Sequence, residues 1–253
     1  MARLLALQPG SARPRLLVLP VASVEHHGVL PLGTDYLLAE CASSRLATML
    51  GDDAYIAPVV AYSTAVEHEL CGPTLGAPPS GFLGYMVGLL VSAASHADSV
   101  AVVSFHGGAY AALHAAAREA RRRTGARILL ENFWAHVERV LAERHGIHPY
   151  PVHADSVEAS ILLACGHRLG VREADAGEAL RAAASRAEEL RGLPQPWLGE
   201  DCGCCLYPRE PVPASRELGE ELLGEALRGI ASSLSRLAAP PPRGAGTGGA
   251  SSL

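Results

Sequence analysis

Residues 15–22 read RLLVLPVA, an apolar run that follows Pro14 and ends at the polar Ser23. A half-exposed strand alternates apolar with polar residues, so a short unbroken run of this kind is a strand buried on both faces. Residues 54–61 (AYIAPVVA) and 99–104 (SVAVVS) read the same way, and 127–130 (RILL) is a shorter fourth candidate. Helical segments lie between and beyond them, at 36–50, 80–96, 109–124, 155–165, 177–191 and 214–238. The first follows Thr34-Asp35, where an N-cap belongs. The second is apolar nearly all round, which predicts a buried helix, and the third ends in Arg121-Arg122-Arg123, favourable at a helix C-terminus. Strands alternating with helices predict a three-layer α/β/α sandwich around a mostly parallel sheet.

The rest of the chain fits that frame. Its 253 residues suit one large α/β domain over residues 1–238, followed by a Pro/Gly/Ser-rich tail at 239–253 expected to be disordered. Hydrophobic residues make up 49% and charged residues 19%, an ordinary globular balance. A net charge of -5 gives no electrostatic grip on nucleic acid or on an anionic membrane, so the expected partner is a small-molecule substrate. All the basic residues are Arg, which removes Lys as a Schiff-base or P-loop residue. No apolar run reaches the roughly 18 residues of a membrane span. Residues 1–10 carry no clear signal for cleavage, so a cytoplasmic setting with reduced cysteines is expected. The spacing of Cys202, Cys204 and Cys205 is not that of paired zinc-site cysteines, so these read as loop cysteines without a ligand role. They sit in a long connection, 192–212, that reads as a lid or an excursion. Trp134 and Trp197 read as core or interface packing before pocket walls.

In an open parallel sheet the ligand site lies beyond the carboxyl ends of the strands. The residues following the first strand include Ser23, Glu25, His26, His27 and Asp35. After the second come Ser63, Glu67, His68 and Glu69, and after the third His106-Gly107-Gly108. Farther on, His153 and Glu158 flank a helix start. Each has an ordinary reading alone: Asp35 as a cap, His106 as a turn residue, Glu158 as compensation of a helix dipole. Their convergence at one end of the sheet points instead to a site. Glu25 and His27, two apart in extended chain, face the same way. Carboxylates mixed with imidazoles favour Zn, Mn or Fe(II) over Ca or Mg. Five ligands (Glu25, His27, Asp35, His106 and Glu158) exceed what one tetrahedral zinc takes. The natural reading is two divalent metals per chain sharing a carboxylate.

Several of these stretches resemble the creatininase family. VASVEHHGVLPLGTD at 21–35 is similar to its Glu-x-His-Gly and Leu-Pro-Leu-x-Thr-Asp signature, and SFHGGA at 104–109 to its Asn-Gly-His-Gly-Gly-Asn. EHELCGPTL at 67–75, HADSVEAS at 153–160 and ASRELGEELL at 214–223 match further family stretches in order. The resemblance implies a metal-dependent amidohydrolase that cleaves a non-peptide C–N bond, cyclic amide or formamide, with a metal-activated water. It implies one metal on Glu25 and His106, another on His27 and Glu158, and Asp35 bridging them. It gives His153 the role of protonating the leaving nitrogen, places His68 in the substrate pocket, and implies a homo-oligomer, usually a hexamer. The favoured subtype is the formylaminopyrimidine nucleotide deformylase known in archaea. The alternatives are a creatinine amidohydrolase and a peptidase of cofactor maturation, with a non-catalytic metal-binding scaffold as the competing class. Ser104 and Phe105 stand where the family has Asn-Gly, Ala109 where it has Asn, Asp155 for a Gly and Ala159 for a Thr. The loop at 28–31 is one residue shorter and lacks a second His. These departures spare the ligands and fall on the surrounding shell, which argues against creatinine itself as substrate.

Overall fold

The structure is a computed structural model, and it describes residues 13–148, 153–190 and 210–239. Strands β1 (Leu16–Val21), β2 (Ala54–Ile56), β3 (Ser99–Ser104) and β4 (Arg127–Asn132) form a parallel sheet in the order β2-β1-β3-β4. Period-2 alternation splits β1 between two cores. Leu16 and Val18 enter one core, together with helices α1 (Thr34–Leu50), α4 (Phe133–His145), α5 (Ser156–Ala164), α6 (Ala176–Leu190) and α7 (Arg216–Ala238). Leu17, Leu19 and Val21 enter the other, with α2 (Pro79–His96) and α3 (Tyr110–Thr124). This is the predicted three-layer α/β/α sandwich, with the helices on both faces that a buried parallel sheet requires.

The differences from expectation have local causes. The second strand is only three residues long, because Pro58 has no N–H to give to a ladder. The chain beyond it still follows β1, with the Val60 N–H donating to the Pro20 carbonyl and the Ala22 N–H to the Val60 carbonyl. Helix α4 was missed by pattern reading, although Asn132 caps it by accepting from the Trp134 N–H and Gly146 closes it in the left-handed region. A small parallel pair, β5 (Val171–Glu173) with β6 (Val212–Ala214), was missed as well. Helix α2 is not buried all round: Phe82, Met86 and Leu90 face the sheet while Gly84, Tyr85 and Gly88 are exposed. Cys41 and Cys165 form a disulfide from α1 to the end of α5, where reduced thiols were expected. No helix among the described residues is long and apolar enough to cross a membrane. The loop at 192–212 up to residue 209, Trp197, the three loop cysteines and the tail from residue 240 lie outside the described residues.

Helices α5 and α7 approach so closely that Gly219 has no room for a side chain. A Cβ there falls 2.0 Å from the Ser160 carbonyl oxygen and 2.5 Å from its carbon, both backbone atoms that cannot swing aside. Gly219→Ala should therefore push the helices apart, at an overpacking cost of about 1–3 kcal/mol. At about 2–4 °C per kcal/mol for a chain of this size, a thermal melt should fall by roughly 2–12 °C. An unchanged melting temperature would show that α7 is free to slide on α5.

Candidate metal centre

The sheet order reverses between β1 and β3, because the chain passes from β1 outward to β2 and then back across β1 to β3. A crevice opens beyond the carboxyl ends of strands at such a switch point. Glu25 and His27 leave β1 at that end, and His106 follows β3. The Phe105 N–H donates to the Val21 carbonyl and the Trp134 indole N–H donates to the Phe105 carbonyl, so the segment entering His106 is fixed on both sides. Trp134 is thus a core residue that supports the site from behind.

The two-residue spacing works as expected. Glu25 and His27 are both 1% exposed, whereas His26 between them turns to the other side, where its ring packs over Gly72. Asp35 does not cap α1. Gly33 holds that position without a side-chain cap, and Asp35, one residue into the helix, turns inward, where it accepts a hydrogen bond from the Ser23 hydroxyl at 2.9 Å. Glu158 sits in the first turn of α5, whose N-cap is Asp155, and its Oε2 accepts the Ala154 N–H at 2.5 Å. Ala154 holds a φ of 53° to make that turn.

All five residues come together. His27 Nε2 lies 3.6 Å from Asp35 Oδ1, 3.6 Å from Glu158 Oε1 and 3.8 Å from Glu25 Oε1. His106 Nδ1 lies 3.2 Å from both Asp35 Oδ2 and Glu25 Oε1. Ligand atoms each about 2.0–2.3 Å from one metal lie roughly 3–4 Å from each other, so both clusters have the right spacing. Asp35 offers one oxygen to each histidine, which is the disposition of a bridging carboxylate. The imidazoles are also turned the right way. His27 Nδ1 is 3.1 Å from its own chain's Glu25 carbonyl, and His106 Nε2 is 2.9 Å from the Thr64 carbonyl. Each carbonyl accepts the N–H of its ring and leaves the other nitrogen facing the carboxylates, where a proton or a metal can sit; a backbone carbonyl is the usual second contact of a metal-binding histidine. Buried His27 Nε2 and Glu25 Oε2 have no hydrogen-bond partner, a costly condition that a cation relieves. The residues present therefore fit divalent metal.

His68 and His153 flank the cluster. Their rings stack at 4.0 Å between centroids, and His68 Nε2 and His153 Nδ1 lie 3.7 and 3.9 Å from Glu25 Oε1. His153 Nε2 is 3.1 Å from the His26 carbonyl. The sequence scan passed over Glu67 in favour of its neighbour His68. The structure buries the Glu67 carboxylate beside His106, with Oε1 3.3 Å from Nε2. A carboxylate preceding a candidate site histidine in a post-strand loop was the signal available.

The charges respond to this crowding. Burial pushes the Glu158 carboxyl up to about 7, against the opposing pull of His27. Burial also opposes charge on His27 and His106, but the surrounding carboxylates, Glu158 and Asp35 for one and Glu25 and Asp35 for the other, outweigh it and raise both well above 6.5. Burial favours neutral Asp35, yet His106 and His27 hold it below the ordinary carboxylate range. Burial and the imidazoles of His68, His27 and His106 push His153 well below 6.5. The carboxylates of Glu25, Asp35 and Glu158 crowded around His27 and His106 give the pocket a surplus of negative charge that a divalent metal would offset.

The family model described as creatininase, creatinine amidohydrolase, matches residues 6–234. Among solved structures, a creatinine amidohydrolase (creatininase) is 18% identical with a TM-score of 0.66, covering 89% of this chain and 91% of the other. A manganese creatininase is 19% identical with a TM-score of 0.65, at 89% and 91% coverage. A mutant creatininase complexed with creatine is 18% identical with a TM-score of 0.66, at 89% and 92% coverage. No curated protein sequence matches the chain.

Proposed function

The chain belongs to the creatininase family of metal-dependent amidohydrolases, and from that premise we propose that the centre around Asp35 hydrolyses a non-peptide C–N bond in a small amide. The observation that carries the reading is Asp35, whose two oxygens face two different imidazoles, each imidazole oriented by a backbone carbonyl behind it. We assign Glu25 and His106 to one metal and His27 and Glu158 to the other, with Zn and Mn as the candidates that relatives' structures suggest. When bound, such metals supply Lewis acidity, which brings the pKa of a water toward neutrality and polarises a carbonyl.

The side chains provide the remainder. Asp35, Glu25 and Glu158 balance the positive charge and fix its position. His153 donates its Nε2–H to the His26 carbonyl, so its Nδ1 lone pair points toward Glu25 and the reaction centre. Held neutral by burial and neighbouring imidazoles, it takes at Nδ1 the proton that the attacking water gives up and passes it to the leaving nitrogen as the C–N bond breaks. His68, stacked on it, restricts the plane of the ring and lines the space for substrate.

Within this class we place formamides ahead of creatinine. Ser104 and Phe105, which replace the family's Asn-Gly, are committed to support: the Ser104 hydroxyl donates to the His106 carbonyl, and Phe105 packs on Phe133. A formylaminopyrimidine nucleotide is the formamide to try first. Metal-reconstituted protein should be assayed on formamides, on cyclic amides including creatinine, and on a short peptide. Metal-dependent release of formate or ring opening is expected. Full metal loading without turnover of any of them favours the non-catalytic scaffold. We also propose assembly as a homo-oligomer. The exposed Gly84, Tyr85 and Gly88 lie on α2, which has no Asp, Glu or Arg, and light scattering tests this.

A further inference from the structure

Glu67 is not one of the five ligands, yet its carboxylate is built into the centre. It lies on the 3-10 turn Val66–His68 after β2, with its side chain 13% exposed. Its Oε1 is 3.3 Å from His106 Nε2, the nitrogen that also faces the Thr64 carbonyl. The other nitrogen of that ring faces Glu25 and Asp35. The imidazole therefore has a ligand side and a support side, and Glu67 is on the support side. The backbone makes room for it there: a Cβ on Gly108 would fall 1.4 Å from Glu67 Oε1. Gly108 leaves the carboxylate space that any side chain would fill.

Glu67, Glu25 and His106 also lie close enough together to hold an ion by themselves. The Thr64 carbonyl argues against that use. It accepts from Nε2–H, so the nitrogen nearest Glu67 carries a proton and cannot ligate. We propose that Glu67 is a positioning residue that acts through His106: it shares the Nε2–H with the Thr64 carbonyl, holds the ring with Nδ1 toward the metal, and makes that nitrogen a stronger donor. Outer carboxylates of this kind fix the tautomer and raise the basicity of a metal-binding histidine. The proposal rests on reading the cluster as a metal centre.

The test compares wild type, Glu67→Gln and Glu67→Ala. Zinc stoichiometry and affinity are measured by competition with a chromogenic chelator, visible spectra are taken of the cobalt-substituted proteins, and melts are run after chelation. All three proteins should bind the same number of zinc ions. Glu67→Ala should bind about 10–100-fold more weakly, with Glu67→Gln, which keeps an acceptor but not the charge, in between. The cobalt spectrum should shift in Glu67→Ala. A merely structural role would lower the melts while leaving affinity and spectrum alone, and that result overturns the proposal. Loss of a whole zinc equivalent in Glu67→Ala also overturns it, by making Glu67 a ligand. A wild type that binds no zinc refutes the metal centre itself, whereas equal affinity in all three refutes only the role of Glu67.

Discussion

Asp35→Ala is expected to lose bound metal and turnover together, while His153→Ala keeps its metal and a residual rate. Asp35 places a different oxygen beside each of two imidazoles, so under the proposed assignment its removal takes a ligand from both positions at once. It also leaves the Ser23 hydroxyl without the acceptor it uses and brings two cations, roughly 3.5–4 Å apart in such sites, less compensation. His153, with Nδ1 3.9 Å from Glu25 Oε1, is assigned no metal and moves a proton that water can move more slowly. General acid–base help of this kind is worth about 10²–10⁴-fold, so a measurable rate should survive. The competing account makes Asp35 an ordinary helix cap whose loss costs about 1 kcal/mol and leaves activity intact. Gly33 occupies the cap position, which removes the structural basis for that account. Metal content, melting temperature and rate on both variants decide the matter. A metal-replete and active Asp35→Ala protein would overturn the bridging role and the mechanism built on it.

The parts of this arrangement that were legible in the sequence are those governed by short-range rules. The apolar runs at β1 and β3 announce doubly covered strands because every residue of such a strand is buried. Glu25 and His27 share a face because extended chain repeats every two residues. The sheet order then delivers His106 to them, since ligands collect where the order reverses. What stayed hidden depends on contacts between distant segments. Nothing near residue 67 announces that its carboxylate will rest against Gly108, since that meeting depends on how the loop after β2 packs over the end of β3. Helix α2 was misread for a related reason: an uncharged sequence predicts burial, but the sheet covers only one side of it. Helix α4 had a cap at each end and was still overlooked, because its apolar positions blend into the strand that precedes it.

Chelation should have the largest effect on stability, and its pH dependence should run opposite to that of the stripped protein. Each metal held at 1,000 times its dissociation constant adds about 4 kcal/mol. At about 2–4 °C per kcal/mol, stripping one site should lower the melt by roughly 8–16 °C. Acid works against loading because protons compete for the same atoms. The Glu158 carboxyl, at about 7 instead of 4.5, and the imidazoles of His27 and His106, well above 6.5, must all give up protons to a metal. Each displaced proton costs up to tenfold in apparent affinity per pH unit, so zinc binding should weaken at least tenfold per unit from about pH 7 to about pH 5.5. The stripped protein should do the reverse. A group whose folded pKa is raised binds more protons folded than unfolded, so stability falls as pH rises. For Glu158 that contribution is full below 4.5 and gone above about 7, and the two histidines extend the same trend above 6.5. Asp35, held below 3.8 by His106 and His27 despite its burial, has the opposite sign but loses its contribution only in stronger acid. Melts of loaded and chelated protein across this range should therefore converge as pH falls. Parallel curves, or zinc affinity flat with pH, would mean that the protons and the metal do not share these side chains, and that the metal binds elsewhere.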